Sequence, residues 1–380
     1  MAYSDLYPVR LPPALESLTL MGKAGVRGFP RLEPAQALLM EVLQNPPLPL
    51  ERPLLDLTAL SGISGAMFSD MEPTLVERSK AALNVLDAQG FGNITRGLPP
   101  QLKGEYSTVL VTLPAERGND AVDEVVRAAF RLTKMGGTCY LAGDKDRGFE
   151  RYFKWAREHF GEGEILERHK GLRVAGFRKT RAEVLEQTLE PTLKFGEYEF
   201  ADLKIATLPG VFSGKGVDAA TKLLLEFLGE HLPAIEGQRV LDIGAGAGVI
   251  GAWAASRGAK VTMLEDDWGG VLCSERTLER SGLNGEVLHS DAGSALPSSG
   301  PSSAQFDTVL SNPPFHVGGD LILEVAEEFI ALAARVLPGG GNFYLVANVF
   351  LPYEPLLERS FKLSSGVRNR SFKVLCGQKR

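Results

Sequence analysis

The stretch Arg239-Val-Leu-Asp-Ile-Gly-Ala-Gly-Ala-Gly248 decides the expected fold of the second half of the chain. Its apolar start is typical of a short buried strand, and its glycines predict a tight turn into a helix of small residues over positions 249–256. Glycine lets the backbone bend sharply and leaves bare peptide groups for a ligand beside a helix N-terminus. The sequence therefore predicts an α/β domain with a ligand site at this turn.

The spacing of these glycines separates two classes of cofactor loop. The pattern is G-x-G-x-G, whereas dinucleotide-binding enzymes carry G-x-G-x-x-G. An acidic residue, Asp242, precedes the loop. The pattern resembles the cofactor loop of S-adenosylmethionine-dependent methyltransferases. This resemblance assigns cofactor binding to Asp242, Gly244, Ala245, Gly246 and Gly248.

Acidic residues follow the next two predicted strands. Glu265 comes directly after the apolar run 260–264, where a carboxylate can accept two hydrogen bonds from a ribose diol; alternatively it caps a helix starting near Trp268. We expect Asp266 to line the adenine edge or to cap that helix. The resemblance implies that Asp291 and Ala292, after the third predicted strand, contact the adenine amine. A plain helix N-cap at Asp291 is the other interpretation.

A second motif, Ser311-Asn-Pro-Pro-Phe-His316, follows an apolar strand about seventy residues later, a spacing that fits several strand–helix units. The Asn312 side chain and the Pro313 carbonyl are acceptors that can hold both hydrogens of an exocyclic amine, and Phe315 can stack on its base. Turning the amine lone pair toward a methyl group is catalysis by orientation. We predict catalytic roles for Asn312, which also borders the cofactor, Pro313 and Phe315. The alternatives are a rigid proline turn and, for His316, a surface histidine.

A glycine-punctuated loop over residues 208–218 precedes a predicted helix that begins at Ala219. It can close over the methionine end of a cofactor, with Phe212 and Ser213 lining the pocket and Asp218 as the N-cap of the helix. An ordinary linker is the competing interpretation, because most loops are placed by their neighbours rather than by a ligand.

The chain contains a faint internal duplication. Residues 54–65 align with 240–251, residues 106–114 with 306–314, and residues 131–141 with 335–345, so that Asp56 matches Asp242 (242 − 56 = 186). The first copy has Thr58 and Leu60 where the second has Gly244 and Gly246, and those side chains would block a ligand from the backbone. We expect a non-catalytic domain that serves substrate recognition or stability.

The domain boundaries follow from this duplication. A charged, helix-prone segment over residues 179–192 separates the copies, which places the boundary near residue 185. The degenerate domain is then 1–185 and the catalytic domain 186–380. Residues 298–303 are rich in serine and predict a flexible surface loop within the second domain.

Composition describes an ordinary globular protein of 380 residues with a net charge of −6, which argues mildly against a nucleic-acid partner unless a local basic patch exists. The three cysteines lie far apart and suggest neither disulfides nor a metal site. The sequence has no secretion signal and no apolar run long enough to span a bilayer, so we expect a cytoplasmic protein without membrane or metal partners.

Taken together, the glycine loop, the Pro209-Gly-Val-Phe-Ser213 segment and the Asn-Pro-Pro-Phe turn resemble those of the RsmC-type 16S ribosomal RNA guanine-N2 methyltransferases. The resemblance implies two tandem Rossmann-like class I methyltransferase domains, each an α/β fold with a seven-stranded, mostly parallel sheet flanked by helices. It implies S-adenosylmethionine as donor, S-adenosylhomocysteine as product, and a guanine N2 of 16S ribosomal RNA, within a 30S particle or assembly intermediate, as acceptor. A monomer is expected.

Four rival functions stay open at this point. One is guanine-N2 methylation of 23S ribosomal RNA; another is glutamine-N5 methylation of a protein such as a release factor, whose enzymes typically carry tyrosine at the position of Phe315. The third is nucleotide-dependent oxidoreduction, which the glycine spacing disfavours. The fourth is a binding protein whose second domain has also lost activity, which the intact glycine loop, Glu265 and Asn312 disfavour. For RNA contact we expect Arg368, Arg370 and Lys373, with Phe372 interleaved.

Overall fold

The structure of the protein is a computed structural model, and it describes residues 2–181, 192–212, 214, 216–232, 234–297, 305–314, 316–317, 320–321 and 323–380. The chain divides into two compact units, Met1–Leu193 and Lys194–Arg380, named the N-terminal unit and the C-terminal unit. The expected boundary near residue 185, most of the helix-prone segment and the serine-rich loop at 298–303 fall outside the described residues.

The N-terminal unit alternates strands with helices. In chain order its elements are β1 (Tyr7–Pro8), β2 (Met21–Gly22), α1 (Pro34–Val42), β3 (Leu54–Asp56), α2 (Ile63–Met67), β4 (Thr74–Glu77), α3 (Lys80–Ala88), β5 (Ile94–Arg96), β6 (Tyr106–Thr112), α4 (Asn119–Leu132), β7 (Thr133–Asp144), α5 (Phe149–Phe160), β8 (Gly161–His169) and β9 (Leu172–Lys179). In its described residues, seven strands form one sheet in the order β5-β4-β3-β6-β7-β9-β8. Strands β3 to β7 are parallel, and β9 and β8 are antiparallel additions.

The C-terminal unit repeats this plan. Its elements are β10 (Gly196–Phe200), β11 (Leu203–Thr207), α6 (Ala219–His231), β12 (Arg239–Ile243), α7 (Val249–Ala255), β13 (Lys260–Glu265), α8 (Trp268–Arg280), β14 (Glu286–His289), β15 (Thr308–Ser311), β16 (His316–Val317), β17 (Asp320–Leu321), α9 (Glu324–Val336), β18 (Asn342–Asn348), α10 (Glu354–Leu357), β19 (Phe361–Ser364) and β20 (Phe372–Lys379). Its sheet, again seven strands among the described residues, has the order β14-β13-β12-β15-β18-β20-β19. The two orders correspond strand by strand.

Helices cover the sheets from both sides. In the N-terminal unit, Val109 and Val111 of β6 belong to a buried cluster with α4 and α5, whereas Leu110 between them belongs to a cluster with α1. Period-two alternation in a strand sends neighbouring side chains to opposite faces, so a doubly covered parallel sheet is apolar throughout. The prediction of two tandem Rossmann-like domains is confirmed. No helix in the described ranges is long and apolar enough to cross a membrane.

The strand order of the C-terminal unit indicates which edge of its sheet binds a ligand. Strand β13 lies on one side of β12 and β15 on the other, so the chain reverses its direction of travel across the sheet at β12. Open α/β sheets bind ligands outside the carboxyl ends of the strands at such a point. The glycine loop, Glu265 and Asn312 follow or end β12, β13 and β15, and therefore meet at this edge.

Candidate active site

The glycine loop after β12 contains one position that opens onto free space. Gly246 has a φ of 57°. A Cβ added there would come no closer than 3.9 Å to a described side chain, the Cβ of Phe212. At Gly248, by contrast, an added Cβ would lie 2.9 Å from the Cα of Ser274, so this glycine is required for packing against α8. Gly246 is the position at which a ligand can lie against the backbone, with Phe212, 63 % exposed, above it.

Glu265, the last residue of β13, fixes the conformation of this loop. Its Oε2 accepts a hydrogen bond from the Gly246 N–H at 2.7 Å, and its Oε1 accepts one from the Asp267 N–H at 2.8 Å. Burial, reinforced by the nearby carboxylate of Asp267, raises the pKa of Glu265 to about 8. Each carboxylate oxygen keeps a second lone pair, so the group can hold the loop and still accept from a diol.

The helix cap after β13 is Asp267. Its Oδ1 accepts hydrogen bonds from the N–H groups of Gly269 at 2.8 Å and Gly270 at 3.2 Å, so α8 begins at Trp268 with a side-chain N-cap. The alternative that Glu265 or Asp266 caps this helix is therefore wrong, because the cap lies two residues after Glu265 and one after Asp266. The carbonyl of Asp266 accepts from the His289 Nε2 at 2.7 Å, which ties the ends of β13 and β14 together.

Asp242 lies beneath the loop rather than beside it. The residue is fully buried, and its Oδ2 accepts from the Gly251 N–H at 2.9 Å, which anchors α7 to β12. In the part of the chain that the structure describes, its Oδ1 has no hydrogen-bond partner, and burial raises its pKa to about 7. Its direct contact with a ligand stays a prediction; its support of the glycine loop is visible.

The segment after β14 is held in a strained conformation. Ala292 has a φ of 45°, which a residue with a Cβ seldom adopts. The Ser290 hydroxyl donates to the Ala292 carbonyl at 2.6 Å and accepts from the Ala295 N–H at 3.1 Å, and the Asp291 N–H donates to the Ser294 Oγ at 3.1 Å. Residues 292–295 form turns, so Asp291 is not a helix N-cap. Strain of this kind concentrates at binding sites.

The Asn312 side chain is oriented by α6. Its Nδ2 donates to the Thr221 Oγ1 at 3.0 Å and to the Asp218 Oδ2 at 3.5 Å. Asp218 also caps α6, as predicted, by accepting from the Ala220 and Thr221 N–H groups. Because the amide nitrogen is engaged by α6, the amide oxygen of Asn312 is the atom left to accept from a substrate.

The structure describes only some of the other predicted site residues. Pro313 is buried and Pro314 exposed, next to Asn312. Phe315 and Ser213 lie outside the described residues, and so does the side chain of His316. Sequence reasoning did not identify Thr221, although a hydroxyl three residues after a helix cap was a possible signal. Among the described residues, no cluster of His, Cys, Asp or Glu suited to a metal ion occurs.

The corresponding site of the N-terminal unit is filled by side chains. Leu60, at the position of Gly246 (246 − 60 = 186), has a φ of 53° and is only 9 % exposed. Its N–H donates to the Glu77 Oε2 at 3.0 Å, which is the bond that Gly246 makes to Glu265. Thr58, at the position of Gly244 (244 − 58 = 186), accepts from the Thr112 N–H at 2.7 Å, which ties this turn to the end of β6.

The duplication also includes the loop before the first helix, which the sequence comparison did not reveal. Gly25-Val26 corresponds to Gly210-Val211, and Glu33 caps α1 as Asp218 caps α6 (218 − 33 = 185). Arg27 stands at the position of Phe212. Its Nη2 donates to the Leu113 carbonyl at 3.3 Å. Leu113 is the counterpart of Pro313 (313 − 113 = 200). Arg27 therefore hydrogen-bonds the carbonyl whose counterpart in the C-terminal unit is predicted to accept from a substrate amine.

Comparison with known proteins agrees with this geometry. The family described as methyltransferase small domain matches residues 202–376. The chain is 39 % identical to the T. thermophilus 16S rRNA N2 G1207 methyltransferase (RsmC), solved in complex with AdoMet and guanosine, with a TM-score of 0.87 over 100 % of this chain and 99 % of that one.

Curated relatives give the same family. Ribosomal RNA small subunit methyltransferase C of Stutzerimonas stutzeri is 34 % identical over 72 % of this chain and 79 % of its own length. The Klebsiella pneumoniae protein of the same name is 35 % identical over 60 % of this chain, and the alignment spans 64 % of that relative, a little under two thirds. The Cronobacter sakazakii protein is 41 % identical over 44 % of this chain and 46 % of its own length. The chain thus belongs to the ribosomal RNA small subunit methyltransferase C family.

Proposed function

We propose that the C-terminal unit transfers a methyl group from S-adenosylmethionine to the exocyclic N2 of a guanine in 16S ribosomal RNA. The observation that carries the proposal is the pairing of an open backbone position at Gly246 with the acceptor turn at Asn312 and Pro313, on one edge of one sheet. The whole-length likeness to an enzyme solved with AdoMet and guanosine supports the same assignment.

The residues of the glycine loop fit the cofactor. The space at Gly246 is the one that Leu60 fills in the other copy, so a ligand that lies against the peptide backbone fits only the C-terminal unit. When bound, S-adenosylmethionine supplies an electrophilic methyl group on a sulfonium. The residues that would hold it are Phe212, Ser213, Asp242, Gly244, Ala245, Gly246, Gly248, Glu265, Asp266, Asp291, Ala292 and Asn312.

Within that set, the roles differ. Glu265 accepts the ribose hydroxyls while it keeps Gly246 in place, and Phe212 covers the open side of the loop. Asp242 supports the loop indirectly, because its carboxylate accepts from the Gly251 N–H and so anchors α7. Asp291 and Ala292 shape the adenine wall, because the left-handed Ala292 turns the chain sharply there.

The acceptor amine is held by two oxygens and a ring. The amide oxygen of Asn312 and the carbonyl of Pro313 accept its two hydrogens, and Phe315 stacks on the guanine. An exocyclic amine is a weak nucleophile because its lone pair is conjugated with the ring. The two acceptors hold the amine so that its lone pair turns toward the methyl group; the methyl carbon leaves the sulfonium sulfur with the formation of S-adenosylhomocysteine, and the methylated amine releases a proton to water.

The N-terminal unit has a structural or recognition role in this proposal. Leu60 fills the space that the cofactor needs, and Arg27 hydrogen-bonds the Leu113 carbonyl, the counterpart of the carbonyl that the amine needs. The unit keeps the sheet and the carboxylate at Glu77, so its fold persists without the ligand site.

The finer assignments are that the protein works as a monomer in the cytoplasm, on 16S ribosomal RNA within a 30S particle or assembly intermediate. Tritiated S-adenosylmethionine offered with naked 16S RNA, 30S particles, 23S RNA and a release factor tests the acceptor, and light scattering of the purified protein tests the monomer. We expect label only in the small-subunit RNA, recovered as N2-methylguanosine after nuclease digestion. Label confined to 23S RNA or to glutamine of the release factor would replace this proposal with one of its rivals.

A further inference from the structure

The C-terminal end of the chain is strongly basic although the whole chain carries a net charge of −6. Residues 359–380 contain seven basic side chains and no acidic one; the basic ones are Arg359, Lys362, Arg368, Arg370, Lys373, Lys379 and Arg380. This segment forms β19, β20 and the loop 365–371 between them. Positive charge concentrated on one segment of an acidic protein attracts a polyanion to that place.

The loop 365–371 lies at the active-site edge of the C-terminal sheet. Strand β20 is antiparallel to β18, and its first residue, Phe372, pairs with Asn348, the last residue of β18. Ser311, directly before Asn312, pairs with Leu345 on the same β18. Strand β18 continues three residues beyond Leu345 to Asn348, so its end extends roughly 10 Å past the end of β15, at about 3.3 Å per residue. The loop 349–353, which follows β18, and the loop 365–371 therefore form a rim beside the Asn312 turn.

The two loops of this rim are fastened to each other. The Val349 N–H donates to the Ser371 carbonyl at 3.0 Å, and the Asn369 Oδ1 accepts from the Ser371 and Phe372 N–H groups at 2.8 Å. Lys373 Nζ donates to the Leu351 carbonyl at 2.7 Å and pairs with the Glu354 carboxylate at 2.7 Å. The rim is thus held in one shape by its own hydrogen bonds.

These contacts correct one expectation from the sequence. Lys373 is 7 % exposed, and its ammonium is satisfied by Leu351 and Glu354, so it does not contact RNA. The pattern of basic residues alone could not separate it from Arg368 and Arg370, whose side chains are exposed. Lys373 is instead a positioning residue for the rim.

The fastened loops present apolar and cationic groups to solvent side by side. Phe350 is 65 % exposed and Val367 is 37 % exposed, two of the few large apolar side chains on the described surface. Together with Arg368 and Arg370 they form a set called here the rim patch. An exposed aromatic ring with neighbouring guanidinium groups is the combination with which proteins hold single-stranded nucleic acid, by stacking on bases and pairing with phosphates.

We propose that the rim patch binds the single-stranded ribosomal RNA that flanks the target guanine, with Phe350 stacked on a neighbouring base and Arg368 and Arg370 on backbone phosphates. The proposal rests on the proposed function, because it takes the Asn312 turn as the place where the guanine sits. The exposed Phe350 ring beside two exposed arginines favours RNA over an acidic protein, because RNA offers bases to stack as well as phosphates to pair.

The test compares the variants Phe350→Ala and Arg368→Ala/Arg370→Ala with a matched control, Arg359→Ala. Arg359 is an exposed arginine of the same basic segment, but it precedes β19 at the opposite edge of the sheet. The readouts are binding of a 16S RNA fragment over a salt series, KM and kcat for methylation, and calorimetric affinity for S-adenosylmethionine.

We expect Phe350→Ala to weaken RNA binding and raise KM about tenfold, as loss of one stacked base does. The double arginine variant should reduce the slope of log affinity against log salt by about 1.4, at about 0.7 per phosphate on a single strand. The rim variants should keep the wild-type affinity for S-adenosylmethionine. Arg359→Ala should match the wild type in all three readouts.

The inference is overturned if the wild type binds the RNA and the rim variants bind it as the wild type does, or if they lose S-adenosylmethionine affinity to the same degree as RNA affinity. It is also overturned if Arg359→Ala behaves as the rim variants do. Failure of the proposed function has a different signature, because the wild type itself would then methylate neither naked 16S RNA nor the 30S particle.

Discussion

Leu60 and Gly246 occupy equivalent positions in the turns that follow β3 and β12, with left-handed φ values of 53° and 57°. The N–H of each donates to a glutamate at the end of the neighbouring strand. Glycine adopts this backbone without steric cost, whereas leucine does not. The conformation is therefore retained in a copy that has filled the space beside it. The side chain, rather than the backbone, separates the two sites.

This relationship predicts an unusual order of stability for variants of Leu60. Leu60→Ala removes a buried side chain and should cost about 2–5 kcal/mol of unfolding free energy. Leu60→Gly removes one carbon more, yet it should be about 1 kcal/mol more stable than Leu60→Ala because glycine relieves the left-handed strain. Urea unfolding followed by the fluorescence of Trp155, with Trp253 and Trp268 replaced by phenylalanine, would measure this. A glycine variant less stable than the alanine variant contradicts the argument.

Gly246→Ala should abolish binding of S-adenosylmethionine, because the new methyl group projects into the space where the ligand lies. The matched control is Gly282→Ala. Gly282 has a φ of 65° and also opens onto free space among the described residues, but it follows α8 away from the glycine loop. Both variants should lose about 1 kcal/mol of stability from backbone strain. Equal cofactor affinity in the two variants would show that Gly246 does not face the ligand.

We also expect calorimetry of the wild type to give one S-adenosylmethionine per chain, since Leu60 fills the corresponding space in the N-terminal unit. The same titration of Gly246→Ala should show no binding, because no second open position then exists in the two glycine-loop turns described. A stoichiometry of two would overturn the assignment of the N-terminal unit as non-catalytic.

Asn312→Ala should abolish methylation while cofactor affinity stays within a few-fold, because the amide holds the acceptor amine. Thr221→Val removes the hydroxyl that accepts from the Asn312 Nδ2 but leaves the amide itself. Its kcat should fall about ten- to a hundredfold through loss of orientation, with little change in stability. If Asn312→Ala loses cofactor affinity as fully as activity, the amide serves the cofactor and not the amine.

The raised pKa of Glu265, about 8, predicts a pH dependence of cofactor affinity. The folded protein holds this proton more tightly than the unfolded chain does, so this carboxyl lowers folding stability as pH rises between its usual value and about 8. Ribose hydroxyls donate to the ionised carboxylate, so binding releases the proton, and affinity should rise up to about tenfold per pH unit until pH 8 and then level off.

Calorimetry of the wild type and of Glu265→Gln between pH 6 and pH 9 tests this expectation. The glutamine variant keeps an acceptor for the Gly246 N–H and has no proton to release, so its profile reports the titration of the ligand and of Asp242, whose pKa is about 7. The same slope in both proteins would remove Glu265 from the cofactor site.

The sequence predicted the fold and the arrangement of strand ends because glycine spacing and apolar runs are local signals. The predicted cap at Asp218 was also correct, since a cap depends on the three residues that follow it. Asp267 rather than Asp266 caps α8 because one residue of register decides which side chain reaches the helix N-terminus.

Contacts between distant parts of the chain were not predictable in the same way. The bond from Asn312 to Thr221 joins residues 91 positions apart, and it depends on where α6 packs. Lys373 was predicted to contact RNA and is buried because β20 pairs with β18 in a register that turns it inward. The correspondence of Gly25-Val26 with Gly210-Val211 is two residues long, too short to stand out without coordinates.

The bond between Glu77 and the Leu60 N–H has a consequence for how such domains are recognised in other chains. An acidic residue at the end of a second strand is commonly read as the mark of a nucleoside-binding site. Here the same residue persists in a domain where a leucine side chain fills the space that Gly246 leaves open, because the main chain still needs the carboxylate to hold a turn. A search that scores the acid would count both halves as cofactor binders. A search that scores side-chain volume four residues after the first-strand aspartate would separate them.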